Sequence, residues 1–352
     1  MIILGLETSC DETSSAVLKC ENGQVFVLSN IVSSQVKLHS KFGGVVPNLA
    51  AREHLKNIIP VIKESLDIAQ IQSREIDLIC ATNGPGLIPA LLIGTQTVKT
   101  LSYLWKKPLL GIHHIEGHIY ANFINNPEIS FPILCLVVSG GHTQLVLMKK
   151  HLDYEIIGQT LDDAAGEAFD KVARILGLGY PGGPIVSQKA EEAKNIKLNT
   201  SLPRPMINSN NFNFSFSGLK TAVLYLVKKN KKILKNKNFV NAVCHEFQQS
   251  AIDVLIDKTL RAAKKYRPKT ILLAGGVSAN SELRNQLSKA IKNQMPNIKY
   301  QIPNFEHCVD NAAMIAAAGY WRWEKNKANT IFLKETGNNW KNLEANANLK
   351  LE

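Results

Sequence analysis

Short apolar runs alternate with longer helical patterns along the 352 residues, and the order of the runs repeats once. The chain opens with an apolar run at 2–6, a polar turn at 8–13 and a second run at 15–18. Further strand and helix patterns lead to a run at 76–82, a Gly-Pro-Gly turn and another helix. The same order returns with a run at 133–138, the turn Ser139-Gly-Gly-His-Thr143 and a run at 144–148. Later come a run at 270–274, the loop Gly275-Gly-Val-Ser278 and a helix. Short apolar runs bounded by turn residues predict buried strands, and their alternation with helical patterns predicts an α/β fold with partly parallel sheets. The repeat predicts two similar lobes, 1–127 and 128–333, meeting at the polar turn Asn125-Asn-Pro127, with a polar, aperiodic tail at 334–352. Ligands of such sheets bind beyond the carboxyl ends of the strands. The glycine turns at 84–86, 140–141 and 275–276 are therefore expected to line a central cleft.

Composition narrows the setting. No run of about 18 apolar residues is present, so no membrane span and no membrane partner are expected. The start, Met1-Ile-Ile-Leu-Gly-Leu-Glu7, lacks the basic region of a signal peptide. Six scattered cysteines without a C-x-x-C pair predict a reduced, cytoplasmic protein with neither disulfides nor a cysteine zinc site. The net charge of +12 favours a polyanionic partner such as nucleic acid. Its densest stretch, 226–238, is equally explained as a solvated Lys/Asn loop.

Candidate chemistry begins at Gly111-Ile-His-His-Ile-Glu-Gly-His118. His114 and His118 are spaced i, i+4 on a predicted helix, so both rings share one face, as a common metal requires. The zinc-protease pattern H-E-x-x-H is not met: Glu116 lies two residues after His114, about 200° around the helix, away from that face. Asp310, where a further helix begins, is a possible third ligand, although an N-cap role accounts for it equally. The turns Val137-Val-Ser-Gly-Gly-His142 and Leu273-Ala-Gly-Gly-Val-Ser-Ala-Asn280 offer backbone N–H groups to a phosphate or oxyanion. The opening turn, Glu7-Thr-Ser-Cys-Asp-Glu-Thr13, can position a phosphate, a metal or a base, or serve as an ordinary polar turn. Asp163, Glu167 and Asp170 are expected to form a solvated acidic face.

Taken together and in order, these segments carry a resemblance. With Gly166-Glu-Ala-Phe-Asp170, Tyr180-Pro-Gly-Gly-Pro184, Phe214-Ser-Phe-Ser-Gly-Leu-Lys220 and Asp310-Asn-Ala-Ala-Met-Ile315, the chain closely resembles the bacterial tRNA N6-adenosine threonylcarbamoyltransferase family over residues 1–325. The resemblance implies the duplicated, two-lobed α/β fold of actin, Hsp70 and the sugar kinases, which is RNase H-like. It implies transfer of a threonylcarbamoyl group from threonylcarbamoyl-AMP to N6 of the adenosine 3′ of the anticodon, in tRNAs reading codons that begin with adenine. By the same resemblance His114, His118 and Asp310 are the metal ligands, for one Fe(2+) per subunit, with Zn possible in preparations. Val137, Val138, Ser139, Gly140, Gly141, Asp170, Gly183 and Asn280 are the substrate-binding positions. Some relatives carry an aspartate where Ser187 stands here. Implied partners are tRNA, a smaller paralogue of the same fold, a P-loop ATPase and an upstream threonylcarbamoyl-AMP synthase. Because the donor is an activated anhydride, the site needs alignment, oxyanion stabilisation and a proton acceptor rather than a protein nucleophile. Glu12 or Asp11 is the candidate for the proton. A metallopeptidase and an ATP-dependent kinase or ATPase of the same fold remain as alternatives.

Overall fold

The computed structural model describes every residue except 127, 194–197, 199, 230–233 and 352. The chain forms two compact units, one of Met1–Ile129, Lys150–Asp153 and Pro303–Glu352, the other of Ser130–Lys149 and Tyr154–Ile302.

The first unit holds a five-stranded sheet in the order β3-β2-β1-β4-β5. Its strands are β1 (Ile2–Glu7), β2 (Glu12–Glu21), β3 (Gln24–Ser34), β4 (Leu78–Gly84) and β5 (Leu109–His113). β1, β2 and β3 pair antiparallel, whereas β4 joins β1 and β5 joins β4 in parallel. Helices α1 (Val36–His39), α2 (Pro47–Ala69), α3 (Ile88–Trp105), α4 (His114–Tyr120), α10 (Ala312–Asn326) and α11 (Thr330–Asn342) complete the unit.

The second unit repeats that plan in the order β10-β9-β6-β7-β8. Here β6 (Ile133–Val138), β7 (Thr143–Met148) and β8 (Tyr154–Gln159) are antiparallel, and β9 (Thr270–Ala274) and β10 (Lys299–Gln301) add in parallel. Its helices are α5 (Ala165–Ile175), α6 (Gly182–Glu192), α7 (Ser217–Lys229), α8 (Lys237–Tyr266) and α9 (Ser281–Gln294). The duplicated α/β plan expected from the run order is present.

Burial follows strand position. β6 and β9 are buried at every residue, as central strands with covered faces must be, while the edge strands β3 and β8 leave most positions half-buried or exposed. Leu4, Leu6, Val17, Ile79 and Val98 build the first core, and Leu134, Phe169, Phe214, Phe216 and Phe247 the second. All six cysteines are free, and Cys20, Cys80, Cys135, Cys244 and Cys308 are buried. None of the described helices is long and apolar enough to cross a membrane.

Two boundaries differ from expectation. The second unit ends at Ile302 instead of 333, because α10 packs on β1, β2 and α4. The segment expected as a tail from 334 contains most of α11, capped by Asn329, whose side chain accepts from the N–H groups of Ile331 and Phe332. Its apolar anchors, Leu343 and Leu351, are too widely spaced to form a period. Residues 150–153 also join the first unit, where His151 stacks on Trp321 with centroids 3.9 Å apart and pairs with the Tyr120 hydroxyl at 3.1 Å. Lys228 and Lys229 end α7 exposed, while Lys231 and Lys232 lie outside the described residues.

Candidate active site

In the first unit β5 ends at His113, and α4 begins at once with His114. One helical turn separates His114 from His118, and their rings meet edge to face at 4.7 Å. His114 Nε2 lies 3.5 Å and His118 Nε2 3.1 Å from the same atom, Asp310 Oδ1. One ligand atom from each residue falls within 4.8 Å of the others. His118 is buried; its Nδ1 has no hydrogen-bond partner, and its Nε2 faces the Asp310 carboxylate. Two imidazoles and a carboxylate converging on one point fit a divalent transition metal such as iron or zinc.

Behind this set stands Glu7, wholly buried at the end of β1. Glu7 Oε2 is 3.0 Å from His114 Nδ1 and accepts from Thr82 Oγ1 at 2.6 Å, and Oε1 accepts from the Ser9 N–H at 2.5 Å. A carboxylate on the far nitrogen of a ligating histidine fixes its ring and turns the other nitrogen toward the metal. Burial opposes the charge on Glu7, but His114 beside it lowers its pKa. Burial likewise opposes charge on His114, yet Asp310 and Glu7 prevail and raise its pKa to about 9. Metal binding must therefore displace a proton from this ring.

Asp310 does not cap α10. That role belongs to Asn311, whose side chain accepts from the Met314 N–H at 3.1 Å, leaving the Asp310 carboxylate to the histidines. Glu116 is buried on the opposite side of α4 and holds Arg322 at 2.7 and 2.5 Å. Glu12 begins β2 and accepts from Ser34 Oγ at 3.1 Å. Burial, then the charges of Asp310 and Asp11 and a hydrogen bond with Asp11, push its pKa well up. Asp11 is buried, and its carbonyl accepts from the Gln35 N–H.

The second unit gathers glycine turns at the ends of β6 and β9. Ser139 closes the first turn, donating its N–H to the His142 carbonyl at 2.8 Å and accepting from the His142 N–H at 3.1 Å. A side chain built at Gly140 or Gly141 would meet nothing within 4 Å, so this turn is open to a ligand. Gly275, at φ +88°, presses on the Val138 carbonyl; a Cβ there would sit 2.4 Å from that oxygen. Asp170 Oδ1 accepts from the Gly182 N–H at 2.7 Å, holding the first residue of α6.

Comparison with known proteins follows this geometry. Residues 26–317 match the family model described as tRNA N6-adenosine threonylcarbamoyltransferase. A protein of that name from Thermosipho africanus is 53% identical over 92% of this chain and 95% of its own length. One from Bacillus subtilis is 50% identical over 92% and 91%. The chain belongs to the tRNA N6-adenosine threonylcarbamoyltransferase family. It is thus a transferase that places a threonylcarbamoyl group on N6 of the adenosine 3′ of the anticodon, in tRNAs reading codons that begin with adenine. Among solved structures, HypF from T. kodakarensis overlays 92% of this chain and 48% of its own length, with a TM-score of 0.62 and 13% identity. That likeness concerns the fold, the duplicated α/β class shared with actin, Hsp70 and the sugar kinases.

Within this threonylcarbamoyltransferase the structure sorts the expected positions. His114, His118 and Asp310 are brought together in the first unit, and the charges of Asp310 and Asp11 help to raise the pKa of Glu12. Val137 and Val138 bury their side chains in β6 and leave only backbone for a ligand. Asn280 spends its amide inside the second unit: Oδ1 caps α9 through the Leu283 N–H, and Nδ2 donates to Ser187 Oγ at 2.8 Å and Gln248 Oε1 at 2.9 Å. Ser187 thereby secures the loop that Asn280 ends. The expected solvated acidic face is absent, because Asp163 precedes α5 and pairs with Lys171 at 2.7 Å and Lys220 at 2.9 Å. Neighbouring Asp162 accepts from the N–H groups of Phe216 and Ser217. Sequence reasoning missed Glu7 and Ser9 as supports of His114. The available signal was Glu7 itself, an acid ending a buried central strand.

Proposed function

We propose that this threonylcarbamoyltransferase uses threonylcarbamoyl-AMP as donor and binds one divalent metal, iron in the cell, through His114, His118 and Asp310. The observation that carries the reading is the convergence of His114 Nε2 and His118 Nε2, on two buried rings, on one oxygen of Asp310. When bound, such an ion supplies Lewis acidity at an acyl or phosphate oxygen, or a fixed charge for a ligand carboxylate.

The remaining steps fall to protein groups. Adenine N6 attacks the carbamoyl carbon, the bond from that carbon to the AMP phosphate oxygen breaks, and AMP leaves with the electron pair. The N6 proton passes to a carboxylate, for which Glu12 is the first candidate and Asp11 the second. Burial raises the pKa of the Glu12 carboxyl, which makes its ionised form a stronger base than an exposed carboxylate. Gly140 and Gly141 offer N–H groups to the phosphate, on a turn closed by Ser139 and carried by Val137 and Val138 at the end of β6. Asp170 and Gly183 contribute through the start of α6, and Asn280 through the loop it secures. The exposed apolar residues Leu55 and Ile59 of α2 and Leu92 of α3 support a surface for the paralogous subunit. A P-loop ATPase and a threonylcarbamoyl-AMP synthase complete the cytoplasmic system. The bidentate Arg322 pair on Glu116 argues against a peptidase, since that carboxylate is already engaged.

The test is nucleoside analysis of tRNA incubated with the metal-loaded protein, its partner subunits and threonylcarbamoyl-AMP. Threonylcarbamoyladenosine should form with the native chain and fall below detection with His118→Ala. Undiminished product from a metal-free His118→Ala preparation would overturn the metal reading.

A further inference from the structure

The pair His113-His114 contains one histidine that the ligand set does not use. His113 is the last residue of β5 and the N-cap of α4, and it is 5% exposed. Its Nδ1 accepts the Ile115 N–H at 3.1 Å, so that nitrogen carries no proton. Its Nε2 lies 3.1 Å from the Leu349 carbonyl, which can only accept, so Nε2 carries the proton and donates it. The two bonds together select one neutral tautomer and fix the ring plane.

Leu349 belongs to the segment 343–351 that follows α11. This segment lies along the carboxyl end of β4 and its glycine turn. The Asn346 N–H donates to the Asn83 carbonyl at 2.8 Å, and Asn83 Nδ2 donates to the Glu344 carbonyl at 3.3 Å. The Gly86 N–H reaches the Ala347 carbonyl at 3.4 Å, and Lys99 Nζ the Leu343 carbonyl at 3.2 Å. At Gly84, φ +158°, a Cβ would stand 2.0 Å from the Asn346 oxygen, so only glycine admits the segment this close. Leu343 and Leu351 are buried on either side of these contacts. Gly86 in turn touches Ser9, whose Oγ is 3.2 Å from His114 Nδ1. The segment therefore bonds to both supports of His114: the residue that caps its helix, and the turn against which Ser9 rests. The family match ends at residue 317, so this segment lies outside it.

We propose that residues 343–351 form a strap that, acting through His113, sets the orientation of His114 toward the metal. His113 is then a positioning residue, and the inference rests on the metal reading given above. The experiment is a Co(II) titration of the metal-free protein, followed by visible absorption of the bound ion. Compared are the native chain, a chain ending at Asn342, His113→Asn, and the two changes combined. Asparagine keeps an acceptor for the Ile115 N–H but is too short to reach Leu349. Each single change should weaken Co(II) binding about tenfold and alter its absorption band, at the lower end of the range for residues that orient metal ligands. The combination should be no weaker than the weaker single variant, because the His113–Leu349 bond that His113→Asn removes is already lost on shortening. A native chain that binds no Co(II) would refute the metal reading, and the strap with it. A native chain that binds one ion while His113→Asn binds equally well overturns the strap alone, as do losses that add in the combination. If the shortened chain fails to fold, His113→Asn decides the matter by itself.

Discussion

Replacing Glu116 with glutamine separates structure from chemistry at the one carboxylate that lends this sequence its protease-like look. Glu116 is fully buried, and both its oxygens are taken by Arg322, at 2.7 and 2.5 Å. Breaking a buried pair by removing one partner costs about 3–5 kcal/mol, because the surviving charge is stranded. Here the survivor is Arg322, whose side chain is 34% exposed, so water recovers part of that loss. Glutamine also keeps the volume of glutamate and one acceptor oxygen, which removes any cavity penalty. Together these bring the expected cost to about 2 kcal/mol. The assay is urea unfolding followed by tryptophan fluorescence. Trp105, Trp321, Trp323 and Trp340 all lie in the first unit, so the signal reports that unit alone. The midpoint should fall while the transfer rate below the transition stays within about twofold, since no interaction specific to the transition state is lost. A Glu116→Gln protein of native stability that no longer transfers would refute this reasoning and return Glu116 to the chemistry.

Glu12→Gln should lower single-turnover transfer about 10²-fold with little change in donor affinity, the usual scale for losing positioned acid–base help; a normal rate would leave the opening turn a purely structural element. Glu7→Gln should weaken Zn(II) binding by about 10–100-fold through misorientation of His114, read by competition with a chromogenic chelator; equal affinity would show that Glu7 does not set that ring. At His151, burial and then Lys325 push the pKa down to about 4 from 6.5. Because the unfolded chain takes up this proton first, the first unit should lose stability as pH falls from about 6.5 toward 4. Partial exposure of the ring reduces that loss to about 1 kcal/mol. His151→Gln should flatten this dependence of the unfolding midpoint, and an unchanged slope would assign it to other groups.

Much of the fold was legible because buried strands announce themselves. The run at 270–274 coincides with β9, and 133–138 with β6, since both are covered on each face and leave no polar position to blur their ends. β2 was read three residues late because Glu12, Thr13 and Ser14 look like a turn, although Thr13 and Ser14 are buried in the strand. α11 was missed for the opposite reason: beyond Leu333 it is polar apart from Trp340, it buries only Thr336, and it owes its start to the Asn329 cap. The histidine spacing placed His114 and His118 on one face of α4, but no local pattern could bring Asp310 to them from so distant a part of the chain. Nor could it choose between Asp310 and Asn311 as the cap, since either side chain is suited to that position. Glu7 needed the sheet itself, because only the pairing of β1 with β4, and of β4 with β5, carries its carboxylate to His114.

The distribution of thiols has a use that the chemistry does not exhaust. Cys20, Cys80 and Cys308 are buried in one half of the duplicated plan, Cys135 and Cys244 in the other, and burial raises the pKa of Cys135 and pushes those of Cys20 and Cys244 to about 12. A thiol held protonated and covered reacts with an alkylating reagent only when its surroundings open. The order in which the five become labelled under mild denaturant is thus a map of which half loosens first, written by the protein's own side chains and readable by mass spectrometry without any engineered cysteine.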